Sequence, residues 1–464
     1  MSPRTLCTRA FLLAGFVAFS LFSGCSDTTE PEPEPDPEDL VNPDKPNSNV
    51  RIVSQAVIGD AGKWSTLWEV DNHEADGYLF RGGYNNYYGV GRLTGVGDVP
   101  WFYRTGYSPG DVCALSQTSV VPNGVLTIGP QDTDGDGENE LGYISLVSPS
   151  GSLLDQLVYS ADTADVRVNS IVHVADSTFL ATGGVRVLAV EYPFVATVAL
   201  NSAGQLEKRQ QSVIHTLPGR YFSRPVLDPS LPVGSEWSFF VASRSPAGAY
   251  AVHKVTVAWP SLTPVTIEWS RDITVVGALN PWMYALRFFD GDLYWVGGAD
   301  DPAKEPRPTG GGYWDSAVAG SITSTGQPRW ATLVKTTGHT EGFYQFVANA
   351  GSLYAMGSCA EFDQKGQDFG YGWICQMTTT TGSVVSSMTF GNPGYSSGFN
   401  DGILDGSTIH CVGWTRGEVG GVYQGWFCEV DISSAFFGGL SAAPARVEAS
   451  DGEISITHTS GGFQ

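Results

Sequence analysis

The sequence predicts an all-β fold, a seven-bladed β-propeller with four antiparallel strands per blade, on three observations. The first is a repeated strand ending: FRGGY (80–84), LTIGP (126–130), LATGG (180–184), FFVAS (239–243), YWVGG (294–298), YAMGS (354–358) and HCVGW (410–414). Each is a short apolar run that stops at a small residue, and the seven recur at roughly 55 residues, a period that makes one sheet per repeat. The second is a tight turn closing the last hairpin of a repeat, TGVGD (94–98), SPSGS (148–152), NSAGQ (201–205), TSTGQ (323–327) and TTTGS (379–383). The third is composition. In a chain of 464 residues, 57 Gly, 12% aromatics and only 16% charged residues fit a turn-rich β protein rather than a helical one.

Between these landmarks the chain alternates in period two or runs as short apolar stretches, as in GYISLV (142–147), FVATVAL (194–200) and SAVAGSI (316–322). No window sustains a helical period. Gly97, Gly151, Gly204, Gly326 and Gly382 each stand where a hairpin turn needs a positive φ. Residues 260–264 take that slot in the fourth repeat and 432–435 in the seventh, both without glycine. Residues 51–59 (RIVSQAVIG) are expected to form the outermost strand of a last blade whose other strands come from 399–430, closing the ring. An open stack of sheets and two smaller propellers are the alternatives. The propeller body is assigned to residues 50–440 and a polar tail to 441–464, either a strand fragment or disordered. The later repeats, GSLYAMGS (351–358) followed by GYGWICQMTTTTGSVV (370–385), resemble the β-propeller repeats of bacterial secreted and lipid-anchored surface proteins. The resemblance covers most of 54–435 through glycine, turn and strand positions, and implies a fold rather than a function.

Residues 1–24 read as a signal peptide: Arg4 and Arg9 precede an apolar run at 10–22. That run is too short to cross a bilayer, which needs about 20 residues. Its end, LFSGC (21–25), resembles the lipobox of bacterial lipoproteins, with Phe22 where Leu is usual. The resemblance implies cleavage before Cys25 and a diacylglycerol on its thiol, making the membrane a partner through the lipid. An ordinary signal peptide and a retained anchor are the other readings. Ser26, in place of Asp, implies the outer membrane by the enterobacterial sorting rule. Residues 25–49 continue as an acidic Pro-rich tether, whose alternating Pro and acid favour extended polyproline conformations and cannot form a core. Of the net charge of −23, the body beyond leader and tether keeps 40 acids against 22 bases, about −18. Such a surface repels nucleic acid and anionic lipid, and suits cation binding or plain solubility. A monomer is expected.

The strongest candidate site is DTDGDGENEL (132–141). Asp132, Asp134, Asp136, Glu138 and Glu140 fall at positions 1, 3, 5, 7 and 9 of a calcium loop, with Gly137 at the sixth. The loop resembles the DxDxDG loops of integrin-type propeller repeats, which implies calcium as a structural cofactor. A solvated acidic turn is the alternative, though five like charges so close repel one another without a cation. Cys359 with Cys375, and Cys411 with Cys428, lie about 16 residues apart across hairpins. In an exported protein they read as two within-blade disulfides, against four buried thiols. Cys113 reads as a buried thiol, and no CxxC or His set points to zinc.

Two GxSxG segments, GYSPG (106–110) and GYSSG (394–398), share one repeat position just before a blade's first strand. A nucleophile elbow needs a strand, a strained turn and a helix, so Ser108 and Ser396 read as features of the repeat. GVGRLTG (89–95) leads into a hairpin and not a helix, which argues against a nucleotide loop. His339 with Glu341 is a polar loop pair or an acid–base pair. Tyr84, Tyr87, Tyr88, Tyr313, Trp314 and Tyr371 cluster in loops between second and third strands, where exposed rings would stack on sugars or dock a protein. Packing between neighbouring loops is the plainer reading. The longest such loop, 299–313, carries Asp300 and Asp301 and is the best placed for specificity. Together these features point to a lipid-anchored cell-envelope propeller, a non-enzymatic binding or scaffold protein for a protein or glycan. The alternative is a carbohydrate-active hydrolase or lyase.

Overall fold

The computed structural model describes residues 52–433 and 447–452, less several loop segments, the longest being 106–110, 116–120, 133–139, 230–235, 305–314, 363–367, 391–395 and 417–421. The leader and tether expected at 1–49, with Cys25, lie outside the described residues. Within them, seven antiparallel sheets of four strands form a seven-bladed propeller.

Strand β1 (Ile52–Ile58) comes first. Blade 1 follows with β2 (Thr66–Asn72), β3 (Tyr78–Tyr84), β4 (Tyr87–Leu93) and β5 (Trp101–Arg104). Blade 2 comprises β6 (Asp111–Ala114), β7 (Val125–Asp132), β8 (Glu140–Val147) and β9 (Leu153–Tyr159). Blade 3 is β10 (Ala164–Ala175), β11 (Thr178–Val187), β12 (Val190–Leu200) and β13 (Leu206–Val213). Blade 4 is β14 (Tyr221–Leu227), β15 (Glu236–Arg244), β16 (Tyr250–Ala258) and β17 (Val265–Asp272). Blade 5 has β18 (Leu279–Phe289), β19 (Asp292–Asp300), β20 (Asp315–Thr323) and β21 (Pro328–Thr336). Blade 6 has β22 (His339–Asn349), β23 (Ser352–Phe362), β24 (Asp368–Thr378) and β25 (Val384–Phe390). Blade 7 takes β26 (Ser396–Asp405), β27 (Thr408–Arg416) and β28 (Tyr423–Asp431) from the end of the chain, and β1 from its start. The pairing of β1 with β28, Ala56 opposite Phe427, is the ring closure that residues 51–59 predict. In the tail, β29 (Val447–Gly452) adds a fifth strand beside β21.

Each repeated strand ending is the second strand of a blade. Sheets cover both of its faces, so it reads as a continuous apolar run; every residue of β19 is buried. The core is a ring of seven clusters, one between each pair of neighbouring blades. Phe399 stacked on Trp426 at 4.8 Å belongs to one, Phe343 stacked on Trp373 at 4.7 Å to another. The turn glycines behave as predicted: Gly97, Gly151, Gly204, Gly326 and Gly382 have φ of 90°, 83°, 74°, 79° and 68°.

The innermost strands share a further device. β2, β10, β18, β22 and β26 each carry a bulge at the same step, at Trp68, Asn169, Tyr284, Tyr344 and Asn400. The residue before the bulge faces Gly82, Gly183, Gly297, Gly357 or Gly413 on the second strand. At Gly357 a Cβ would lie 1.8 Å from the Gly342 carbonyl oxygen, so the bulged backbone can approach only glycine. In these five blades the glycine of the repeated strand ending is therefore half of a bulge.

Two expectations are corrected. Cys113, Cys359, Cys375, Cys411 and Cys428 are all buried free thiols, and no disulfide occurs among the described residues. Cys359 stands opposite Tyr371 while Cys375 stands opposite Ala355, four residues out of register. At about 3.4 Å per residue that offset exceeds the reach of a disulfide. Cys411 and Cys428 are direct partners across β27 and β28, yet remain thiols; burial is the main cause that holds the Cys411 thiol well above its ordinary pKa. The second concerns GYSSG. Ser396, Ser397 and Gly398 lie inside the innermost strand β26 rather than before it, and Ser397 hydrogen-bonds Thr415 Oγ1 at 3.0 Å. GYSPG (106–110) is outside the described residues.

Candidate functional site

The bulged strands surround a central cavity of about 1030 Å³. In blades 1, 5, 6 and 7 the residue after the bulge, Glu69, Ala285, Gln345 or Asp401, lines this channel. On one side the lining is charged. Glu69 in β2 and Asp401 in β26 occupy the same repeat step in neighbouring blades, 331 residues apart in sequence for the Val70–Asp401 contact. Glu69 accepts from Arg81 at 2.5 Å and from Arg224, which reaches it from β14 across the ring. Asp401 accepts from the Val70 and Gly402 amides at 3.0 and 2.8 Å, and pairs with Arg287 of β18 at 3.5 Å. Burial raises the Asp401 carboxyl to about 6, with Glu69 adding to the rise and Arg287 opposing it. The bulge at Asn400 ties the closure together, its amide donating to the Leu67 carbonyl at 2.7 Å; Asn169 makes the same contact to Phe222 at 2.9 Å.

The other side of the channel is aromatic. The bulge residues Tyr284 and Tyr344 of blades 5 and 6 meet edge to face, ring centres 5.0 Å apart. Tyr284 keeps 56% of its surface open to the channel, and the Tyr344 hydroxyl hydrogen-bonds Ser358 Oγ at 3.0 Å. The enclosing channel walls desolvate both phenols and push them above their ordinary pKa, so they stay neutral donors. Tyr221 and Tyr250 continue the wall, with the Arg244 guanidinium 5.5 Å from the Tyr250 ring centre. Behind them His253 is buried between Ser243 and Ser270 at 2.7 and 2.8 Å. Burial pushes it down to about 3, which deprives it of the basicity that activating Ser243 would require.

The predicted site residues separate into groups. Trp64, Trp68 and Tyr88 form one aromatic cluster, with centroids of Trp68 and Tyr88 5.5 Å apart, so Tyr88 is joined to the channel wall through Trp68. Tyr84 packs on Phe102 at 5.4 Å. Tyr87 is exposed, with the Arg104 guanidinium 3.5 Å above its ring. Asp301 is fully buried: Lys335 at 2.9 Å, Ser316 Oγ at 2.8 Å and the Ala303 amide at 2.9 Å surround it. Asp300 is buried too and accepts from Asn280 at 2.8 Å. Glu341 is ion-paired with Lys304. Tyr313 and Trp314 are outside the described residues, as are Asp134, Asp136 and Glu138. The backbones of Asp132 and Glu140 face each other as the last pair of the β7–β8 hairpin, which brings the two ends of the acidic loop together.

Sequence reasoning missed the channel itself: Glu69, Arg81, Arg224, Arg287 and Asp401 on one side, Tyr284 and Tyr344 on the other. A signal exists in the first strands. Leu-Trp-Glu-Val (67–70), Met-Tyr-Ala-Leu (283–286), Phe-Tyr-Gln-Phe (343–346) and Phe-Asn-Asp-Gly (399–402) align as apolar residue, bulge residue, channel residue.

No family model matches the chain, and no curated protein matches it. Solved structures similar to it include the polysaccharide lyase Uly1, at 10% identity and a TM-score of 0.41 over 81% of this chain and 90% of that one. A catalytically inactive virginiamycin B lyase from Staphylococcus aureus with quinupristin has 12% identity and a TM-score of 0.41 over 81% and 99%. Drosophila Plexin A in complex with Semaphorin 1b has 8% identity and a TM-score of 0.42 over 82% and 87%. Likeness at that level carries no conclusion about what this chain binds or does.

Proposed function

We propose that the chain is a cell-envelope β-propeller, lipid-anchored at Cys25 and held at the outer membrane, that binds a glycan in its central channel and does no chemistry on it. One observation carries the reading. The channel acids Glu69 and Asp401 are already engaged by arginines, whereas the open part of the wall is aromatic faces and neutral phenols such as Tyr284. Sugars are recognised by stacking on such rings and by hydroxyl hydrogen bonds. A glycan array probed with the full chain in detergent tests it, with a pull-down from envelope extract alongside. Binding to a defined glycan class supports the reading; an array without binding, with a protein captured instead, replaces it with protein docking.

A second reading, a carbohydrate-active hydrolase or lyase, is favoured by Asp401, a buried carboxyl raised to about 6 and so suited to proton transfer near neutral pH. Turnover of a bound glycan that Asp401→Asn abolishes would replace binding with catalysis. Calcium at Asp132–Glu140 remains part of the proposal, supported by the 1, 3, 5, 7, 9 spacing of acids and by the hairpin that joins the loop ends. Chelator should then lower the melting temperature, since a ion bound only to the folded state stabilises it. An unchanged melt removes calcium from the account.

A further inference from the structure

Arg244 differs from the other arginines of the channel. Arg81 and Arg224 share Glu69, and Arg287 holds Asp401. Among the described residues no carboxylate lies within ion-pair distance of Arg244, although its side chain lines the cavity. Its surroundings are phenols. Tyr221 is its direct partner across β14 and β15, and Tyr250 its partner across β15 and β16. Burial is the main force that raises the Tyr250 and Tyr284 phenols, and the Arg244 charge pulls both back down, which places the guanidinium within electrostatic reach of each. Asp315 is the carboxylate that acts on Tyr284 and Tyr344, and it makes no ion pair with Arg244.

A guanidinium without an acid, set among neutral hydroxyl donors, is half of a bidentate pair. The partner that completes it is a planar carboxylate, whose two oxygens match the fork and whose remaining lone pairs take phenol O–H groups. Aromatic faces beside that point would carry the apolar face of a sugar ring. The net acidic charge of the body disfavours anions on average, so a guanidinium free of carboxylates is a distinctive spot on it.

We infer that Arg244, with Tyr221, Tyr250 and Tyr284, forms a carboxylate subsite that selects acidic, uronate-type sugars within the channel. The inference rests on the glycan reading above and adds the class of sugar. Its test is an array of matched pairs, each uronate-containing glycan beside its carboxyl-reduced form and beside a sulfated one, probed with the wild type, Arg244→Gln and Tyr284→Phe. The wild type should favour the uronate member by about tenfold or more, the worth of one charge-assisted bidentate contact. Arg244→Gln should bring the pair to parity while keeping the neutral binding and the far-ultraviolet spectrum of the wild type, and Tyr284→Phe should weaken the preference in part. Equal binding of both members by the wild type, or an unchanged preference in Arg244→Gln, overturns the subsite and leaves glycan binding standing. Preference for the sulfated member over the uronate overturns the assignment to carboxylate. Binding to no glycan overturns the reading on which the subsite rests. If Arg244→Gln fails to fold, Arg244→Lys decides: a point charge without the fork should lose most of the preference, and full retention contradicts the inference.

Discussion

Asp301 and Asp401 are both buried beside a cation, yet they titrate in opposite directions. At Asp301, burial alone would raise the carboxyl, but Lys335, the Ala303 amide, Ser316 and the Lys335 charge together hold it below 3.8. At Asp401 burial is the stronger influence and wins, since Arg287 stands 3.5 Å away and Glu69 adds a like charge. The first aspartate is a sealed structural joint between strands of blade 5. The second lies on the channel, where its partner must cross from another blade. Asp301 is held low by the lysine and serine side chains that reach it, whereas the two backbone amides and the more distant guanidinium at Asp401 do not offset its burial.

The largest effect should come from breaking the looser pair. Arg287→Met leaves the Asp401 charge buried with two amides and a neighbouring acid, and should cost roughly 3 kcal/mol at pH 7 in denaturant unfolding. The loss should shrink below pH 6, where Asp401 takes up a proton. A loss of the same size at pH 7 and pH 5 would mean that Arg287 acts through packing instead.

Opposite pH dependence is the sharper test of the same comparison. A carboxyl raised from 3.8 to about 6 binds its proton more tightly in the folded state, so its contribution to stability is present at low pH and is lost as pH rises from about 4 to 6. Relative to Asp401→Asn, the wild type should therefore lose up to about 3 kcal/mol across that window. Asp301, held low, contributes stability above 3.8 that is lost as pH falls through its folded value, so the cost of Asp301→Asn should be largest at neutral pH and vanish in acid. Two parallel slopes would contradict the comparison.

Much of this molecule is legible in its sequence. The seven strand endings, the positive-φ turn glycines and the closing strand at 51–59 are local signals, and each governs a local backbone choice. What was not legible depends on register. Cys375 sits in GWIC as Cys428 sits in GWFC, yet Cys359 is four residues away from the place where a bridge would form, and only the ladder reveals it. Asp401 and Glu69 are harder still, since ring closure alone brings blades 7 and 1 together. Asp300 and Asp301 look from sequence like an open acidic loop; a lysine 34 residues further on makes Asp301 a joint.

The smallest expected effect lies behind Asp401, whose charge helps raise the Cys411 thiol. Since Cys411 and Cys428 are free, reductant should leave the melting temperature of the protein unchanged. A downward shift of several degrees would show a bridge that the free thiols deny.

The most direct measurement is calorimetric titration of the glycan bound most strongly on the array into the wild type and into the Tyr284→Ala, Tyr344→Ala double variant. The account predicts binding by the wild type and at least about tenfold weaker binding by the variant, with a far-ultraviolet spectrum like the wild type's, because the open aromatic wall of the channel is where the ligand rests. Equal affinity in the two proteins would contradict it and move the site away from the channel.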